Sequence, residues 1–526
     1  MQVCAYMPSS KVSLAEDGRA FAGSRRQLQI FVNHRQDELN RVIIDGIPEL
    51  DDGHATLTWV SPVAKTYYTE FRDSAFLRVL GLSHLRPSLA DFWPEGGPCW
   101  DGLALVNRPA LATGALLVEA KSHVKEVVAS CCSAQGASLV QIEKSLDSIK
   151  AELGASLECN WLGPLYQSAN RLAFVQFLRK NGVEAWLVDL LFANDRSIRT
   201  PVNEEQWLQL HERAIEGLGL RSEPAYVVRV VKLAIDPHAS GIDWPLKPPR
   251  LDRSKTPTLL GPLATSILAG VDDLVDSTLN LCDGKPPRWQ HKTSFLNLSP
   301  ISAARAADLI PQIYAGISNN WNGTRRGEGK NWRWSKMLDC IGLEGEVGLQ
   351  KWIVLLTDDT WVNAIPTASG LIPLEEEKQR NVDLAHRRAP SEYEMIELKL
   401  GIGNQHPLGA ALQLAQYGCL YLHARRNRVD MALDLESHQL LGASCIHLQV
   451  LALRPFYDKY QPQADVTQTI ERAMEDGFVN LVGPADNLAI SFQFIQFDGG
   501  FAWPDASDAT VYDALNRRSG VFDIMR

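Results

Sequence analysis

One pattern occurs twice in this 526-residue chain and limits how it can fold. In the first half, Asp101 is followed by an apolar run that closes on Glu119-Ala120-Lys121. In the second half, Asp383 is followed by another that closes on Glu397-Leu398-Lys399. Successive side chains of a strand alternate faces, so positions i and i+2 share one. Glu119 therefore projects with Lys121, and Glu397 with Lys399. Two carboxylates and a lysine gathered at a strand end suit a divalent cation and an oriented water. Those are the requirements of metal-assisted phosphodiester hydrolysis.

A chain of this length exceeds one ordinary core and implies two or three domains. Its 45% hydrophobic and 22% charged residues are those of a globular protein. It contains no run of 18 apolar residues, so no membrane span is expected. The first residues lack the basic and apolar regions of a secretory signal, which predicts a cytoplasmic protein. Nine scattered cysteines, with no Cys-x-x-Cys pair, predict buried thiols in a reducing compartment and no structural zinc. A formal net charge of −10 disfavours nonspecific nucleic-acid binding over the whole surface but is compatible with a local basic groove.

The pattern of apolar residues predicts helices over 24–42, 68–80, 134–153, 166–179 and 204–217 in the first half. Strand-like runs occupy 102–106, 115–118, 185–192 and 226–233. Six prolines between Asp236 and Pro262 predict an interdomain connection. The second half repeats the order: a helix near 343–355, the strand ending at Lys399, a helix over 407–425, a strand over 446–453, a helix over 466–475 and a strand over 490–497. The expected architecture is α/β, with one domain over 1–236, a proline-rich connection over 237–262 and a second domain over 263–526.

Each half resembles the PD-(D/E)xK nuclease superfamily, whose restriction-endonuclease-like core is a small mixed sheet flanked by helices. The resemblance covers roughly 60–235, through Pro98-Cys99-Trp100-Asp101, Glu119-Ala120-Lys121 and Tyr166-Gln167, and roughly 340–500, through Glu397-Leu398-Lys399, Gln413 and Tyr417. It implies that Asp101 and Glu119, and likewise Asp383 and Glu397, bind Mg²⁺ or Mn²⁺. It implies that Lys121 and Lys399 position water or stabilise charge. Glu70, on a preceding helix, and the matching Glu346 would be outer or second-metal ligands; Glu344 is an alternative to Glu346. Gln413 and Tyr417, one turn apart, would face the second site from the following helix. The chain departs from the pattern at Asp383, which follows Asn381-Val382 rather than a proline.

Weaker features admit two readings. The stretch from Trp321 to Lys336 combines Arg325, Arg326, Lys330 and Arg333 with three tryptophans. It is either a phosphate- and base-binding patch or a glycine-rich loop anchored by Trp321, Trp332 and Trp334. His123 is either a site residue or a hydrogen-bonded residue at a strand end. The face bearing Tyr166, Gln167, Asn170 and Arg171 either supports the first site or touches phosphate, or else it caps a core helix. No phosphate loop, His-Glu-x-x-His, Gly-x-Ser-x-Gly or dinucleotide fingerprint is present. The expected activity is a metal-dependent nuclease acting on nucleic acid, DNA before RNA, with defence against foreign nucleic acid the setting the resemblance suggests. The alternatives are a nucleic-acid-binding protein or a homodimeric scaffold in which one or both domains are inactive.

Overall fold

The computed structural model describes residues 14–15, 17–50, 54–127, 131–246, 266–278, 303–321, 323, 331–368, 371, 380–401, 407–458 and 464–521. The chain forms two compact units: Met1–Pro248 with Leu338–Glu344, and Pro249–Met337 with Gly345–Arg526. Among the described residues no helix is long and apolar enough to cross a membrane.

The first unit carries helices α1 (Gly23–His34), α2 (Gln36–Asp45), α3 (Asp73–Val79), α4 (Arg86–Phe92), α5 (Gly136–Leu153), α6 (Tyr166–Lys180) and α7 (Glu204–Gly217). Its strands are β1 (Thr56–Ser61), β2 (Glu70–Phe71), β3 (Gly102–Asn107), β4 (Gly114–Lys121), β5 (Ala185–Ala193) and β6 (Val227–Leu233). The main sheet has the order β1-β3-β4-β5-β6. Pairing is antiparallel from β1 to β4 and parallel from β4 to β6. Central strand β4 is buried along all of its length but Lys121, which explains its continuous apolar sequence. Gly114 opens it because a Cβ there would lie 2.7 Å from the Trp186 ring.

The single helix expected over 24–42 is two, separated at Arg35. The helix expected over 68–80 covers only α3; Glu70 lies before it, on β2, which pairs with β7 (Cys340–Ile341). Cys99 and Cys340 form a disulfide, and among the described free cysteines only Cys419 is buried. The expectation of buried free thiols thus fails at this pair. The first part of the proline-rich stretch packs within this unit: Trp244 is buried and its indole N–H donates to the Ala20 carbonyl. Residues 247–262 of that stretch lie outside the described residues.

The second unit carries α8 (Val271–Thr278), α9 (Ala303–Asn320), α10 (Gly345–Leu356), α11 (Pro407–Arg426), α12 (Arg454–Asp458), α13 (Ala464–Leu481) and α14 (Asp508–Asn516). Its strands are β8 (Trp361–Pro366), β9 (Asn381–Ala389), β10 (Glu392–Lys399), β11 (Cys445–Ala452), β12 (Ala489–Gln496) and β13 (Ser519–Gly520), in the order β13-β12-β11-β10-β9-β8. Pairing is antiparallel from β8 to β10 and parallel from β10 to β12. Helix α11 is buried along most of its length. Gly418 lets Phe478 approach it, since a Cβ there would meet the phenyl ring at 2.6 Å.

Each unit is therefore a mixed sheet, of five and six strands, flanked by helices. The five strands β1-β3-β4-β5-β6 and β8-β9-β10-β11-β12 follow the same order of pairing, two antiparallel steps and then two parallel ones.

Candidate active sites

Strand register puts each aspartate opposite its glutamate. In the first unit Gly102 pairs with Val118, so the next step along the ladder brings Asp101 beside Glu119. In the second, Leu384 pairs with Ile396, and the next step brings Asp383 beside Glu397. The backbone N–H of Ala120 donates to Asp101 Oδ2 at 2.8 Å, and that of Leu398 donates to Asp383 Oδ2 at 3.0 Å. Both aspartates are thus held by the N–H that follows the glutamate.

Around Glu119, every oxygen is taken. Its Oε1 accepts from the Lys121 ammonium and from Gln167 Nε2, the latter at 2.7 Å. Lys121 also donates to Gln167 Oε1 at 3.0 Å. Its Oε2 accepts from Arg171 Nε at 2.5 Å. Arg171 donates to the Cys99 carbonyl and lies over the Trp100 ring. Burial opposes ionisation of Glu119, but Arg171 and then Lys121 outweigh it and hold the pKa below its ordinary value. Asp101 goes the other way: burial and then Glu119 push it up to about 7. Glu70 is paired with Arg25 at 2.8 Å; burial, opposed by Arg25 and aided by Asp101 and Glu119, pushes it up to about 8.

Around Glu397, one oxygen is unused. Lys399 Nζ donates to Oε1 at 2.5 Å, while Oε2 is buried with no hydrogen-bond partner. Glu346, on α10, accepts from the backbone N–H of Leu400 at 3.3 Å and lies 3.7 Å from Lys399. The choice between the two sequence candidates falls to Glu346, since Glu344 accepts from Ser74 in the first unit. Burial pushes Asp383 up to about 6, opposed by Lys399. Burial and then Asp383 push Glu397 up to about 8. Burial disfavours the Lys399 charge, but Glu397, Glu346 and Asp383 more than offset this and raise its pKa. Gln413 donates to Tyr417 at 3.1 Å, and burial, then Glu397, raise the Tyr417 phenol. Gln350 bonds Asp383 and escaped the sequence reading, as did Arg25; neither stands in a motif.

Neither Glu70-Asp101-Glu119 nor Glu346-Asp383-Glu397 brings three ligand atoms within 4.8 Å of one another. Among the described residues the trio that does is Asp189, His211 and Glu223. Asp189 pairs with Glu119 across β4 and β5, and burial pushes it up to about 6. The sequence signal for it was a lone acid inside an otherwise apolar strand.

The remaining predicted residues separate. Arg325, Arg326 and Lys330 lie outside the described residues, and Arg333 is partly buried. Trp332 is fully buried, Trp321 and Trp334 pack against the core, and Trp334 Nε1 donates to the Asp359 carbonyl. These three rings pack as the loop-anchoring reading of the segment has them. His123 bonds Thr200 and the N–H of Lys125, the strand-end role.

Comparisons with family models, with curated proteins and with solved structures return no match for this chain.

Proposed function

We propose that the chain is a metal-dependent nuclease in which the second unit is the catalytic copy. The observation that carries this reading is Glu397 Oε2, a buried carboxylate oxygen without a partner beside Asp383 and Glu346. A buried polar atom left unpaired costs about 1–3 kcal/mol, and an unplaced ion is a standard reason for tolerating it. Three carboxylates face one lysine there, and hard oxygen donors suit Mg²⁺ or Mn²⁺. Glu397 and Asp383 would hold the cation, with Glu346 as an outer ligand.

Bound there, such a cation supplies Lewis-acid polarisation of a phosphoryl oxygen and a more acidic water. The protein's own part is positional. The Leu398 N–H fixes the Asp383 carboxylate, and Glu397 Oε1 fixes the Lys399 ammonium. Lys399 keeps its proton and offers fixed positive charge to a phosphodiester, a role that needs no reorganisation. Tyr417 stays protonated and presents a donor beside Glu397.

In the first unit the residues fit a cation less well. Both Glu119 oxygens are hydrogen-bonded to cationic side chains, so no step is assigned through it. This supports reading the first unit as a binding copy. The test is cleavage of single- and double-stranded DNA and RNA by the full chain with Mg²⁺ or Mn²⁺. Cleavage abolished by chelator and by Glu397→Gln is expected. Absence of cleavage under all these conditions, or cleavage indifferent to chelator, overturns the reading.

A further inference from the structure

We infer that Asp189, His211 and Glu223 form a binding site for a first-row transition dication in the first unit, beside Glu119 and Lys121 but made of other ligands and independent of the nuclease reading. The three come from three places: Asp189 from strand β5, His211 from helix α7 and Glu223 from the segment before β6. Their ligand atoms lie within 4.8 Å of one another, a spread that small side-chain rotations close onto an ion binding N and O at ~2.0–2.2 Å.

Two further observations point to an ion rather than to a packed polar cluster. His211 is only 8% exposed, and its Nε2 is buried without a hydrogen bond. Glu223 Oε1 is in the same state, although the two atoms stand 2.7 Å apart: they are close but not aligned to bond each other. Buried donors and acceptors are nearly always satisfied, and a cation between the atoms of this ion pair would satisfy both. The same three side chains line a cavity of about 50 Å³ that Lys121, Gln167 and Arg171 also border. That is room for an ion and a water.

Neighbouring charges set the site's preference. Arg229, which pairs with Asp189 across β5 and β6, stands 3.4 Å from Glu223 Oε2. It holds the second oxygen and leaves Oε1 turned to the histidine, as outer partners of ligating carboxylates do. Glu119, beside Asp189 on the ladder, adds negative charge that its partners Lys121 and Arg171 offset in part. An imidazole nitrogen with two carboxylates favours Zn²⁺ or Mn²⁺ over Mg²⁺ or Ca²⁺, which seek all-oxygen shells. Three protein ligands leave a coordination position toward the cavity.

The experiment is Zn²⁺ titration of the full chain after chelator dialysis, by calorimetry, with metal stoichiometry measured in parallel. The wild type is expected to bind an equivalent, beyond any held at Glu397 and Asp383, that His211→Ala and Glu223→Gln each lose or bind at least ~10-fold more weakly. Asp101→Asn and Glu397→Gln should keep that equivalent. Should His211→Ala fold poorly, the partly exposed Glu223→Gln still decides: Zn²⁺ should raise the melting temperature of the wild type and not of this variant. No Zn²⁺ bound by the wild type, or unchanged stoichiometry and affinity in Glu223→Gln, overturns the inference.

Discussion

The two carboxylate sites share a frame and differ in what fills it. Each has an aspartate held by the N–H after the glutamate, and a lysine on that glutamate's Oε1. Each has a glutamine on a later helix, Gln167 on α6 and Gln413 on α11. Four residues after that glutamine the units diverge: Arg171 in one, Tyr417 in the other. Across the parallel ladder they diverge again: Asp189 lies beside Glu119, but Val450 lies beside Glu397. In the first unit an arginine closes the glutamate and polar groups extend onto β5. In the second, apolar strands back a glutamate with one free oxygen. A repeated backbone thus fixes where the acids stand, while the side chain four residues after the glutamine decides whether the second oxygen of the glutamate is taken.

The strongest way to break this contrast is Arg171→Met. Removing one partner of a buried ion pair costs about 3–5 kcal/mol, because the other charge is left uncompensated. The melting transition of the first unit should fall by on the order of 10 °C. The variant should also gain what the wild-type site lacks, a Mg²⁺-dependent rise in melting temperature through the freed Glu119 Oε2. A variant as stable as wild type and blind to Mg²⁺ would show that Arg171 does not close the site.

Next in size is the pair Lys399→Ala and Lys121→Ala. Oriented charge on a developing anion is worth about 10²–10³ in turnover, so Lys399→Ala should lose that much cleavage. Lys121→Ala should cleave near the wild-type rate, since Lys121 is spent on Glu119 and Gln167. Equal losses in both variants would make both units catalytic and end the asymmetry.

Much of the frame was legible because strand periodicity is local. The run before Glu119, the helix opening at Pro407 and the capped helix Glu204–Gly217 all stand where pattern places them. What escaped depended on register and tertiary approach. Glu70 leaves the expected helix because two residues, Glu70 and Phe71, pair with Cys340 and Ile341 far along the chain. No local pattern announces that pairing, or the disulfide from Cys99 to Cys340. Arg25, Gln350, His211 and Glu223 reach their partners only once helices and loops cover the sheet. Arg171 was visible as part of a polar helix face, but its grip on Glu119 was not. The tryptophans of 321–336 resembled a stacking surface because composition cannot tell a buried ring from an offered one; Trp332 is fully buried.

The smallest expected effect has opposite sign in the two units, and that makes it sharp. Glu397 has a folded pKa of about 8 and Asp383 of about 6, both above the roughly 4 of an unfolded carboxyl. In that window the folded protein holds more protons than the unfolded one. Their contribution is therefore full below about pH 4 and is lost as pH rises through about 6 and then about 8, at no more than about 1.4 kcal/mol per pH unit for each group. Glu119 is depressed, so its contribution is present above the unfolded value and lost as pH falls. Without metal, Glu397→Gln should leave the melting temperature unchanged or raise it above pH 8, while Glu119→Gln should lower it at neutral pH. Mg²⁺ should stabilise the wild type more at pH 8.5 than at pH 6, because the cation competes with the protons on Glu397 and Asp383, and Glu397→Gln should flatten that response. Melting curves of the full chain over pH, with and without Mg²⁺, provide the check. If the two glutamine variants shift stability in the same direction at every pH, the two glutamates sit in equivalent environments, and the difference drawn between Arg171 and Tyr417 does not govern them.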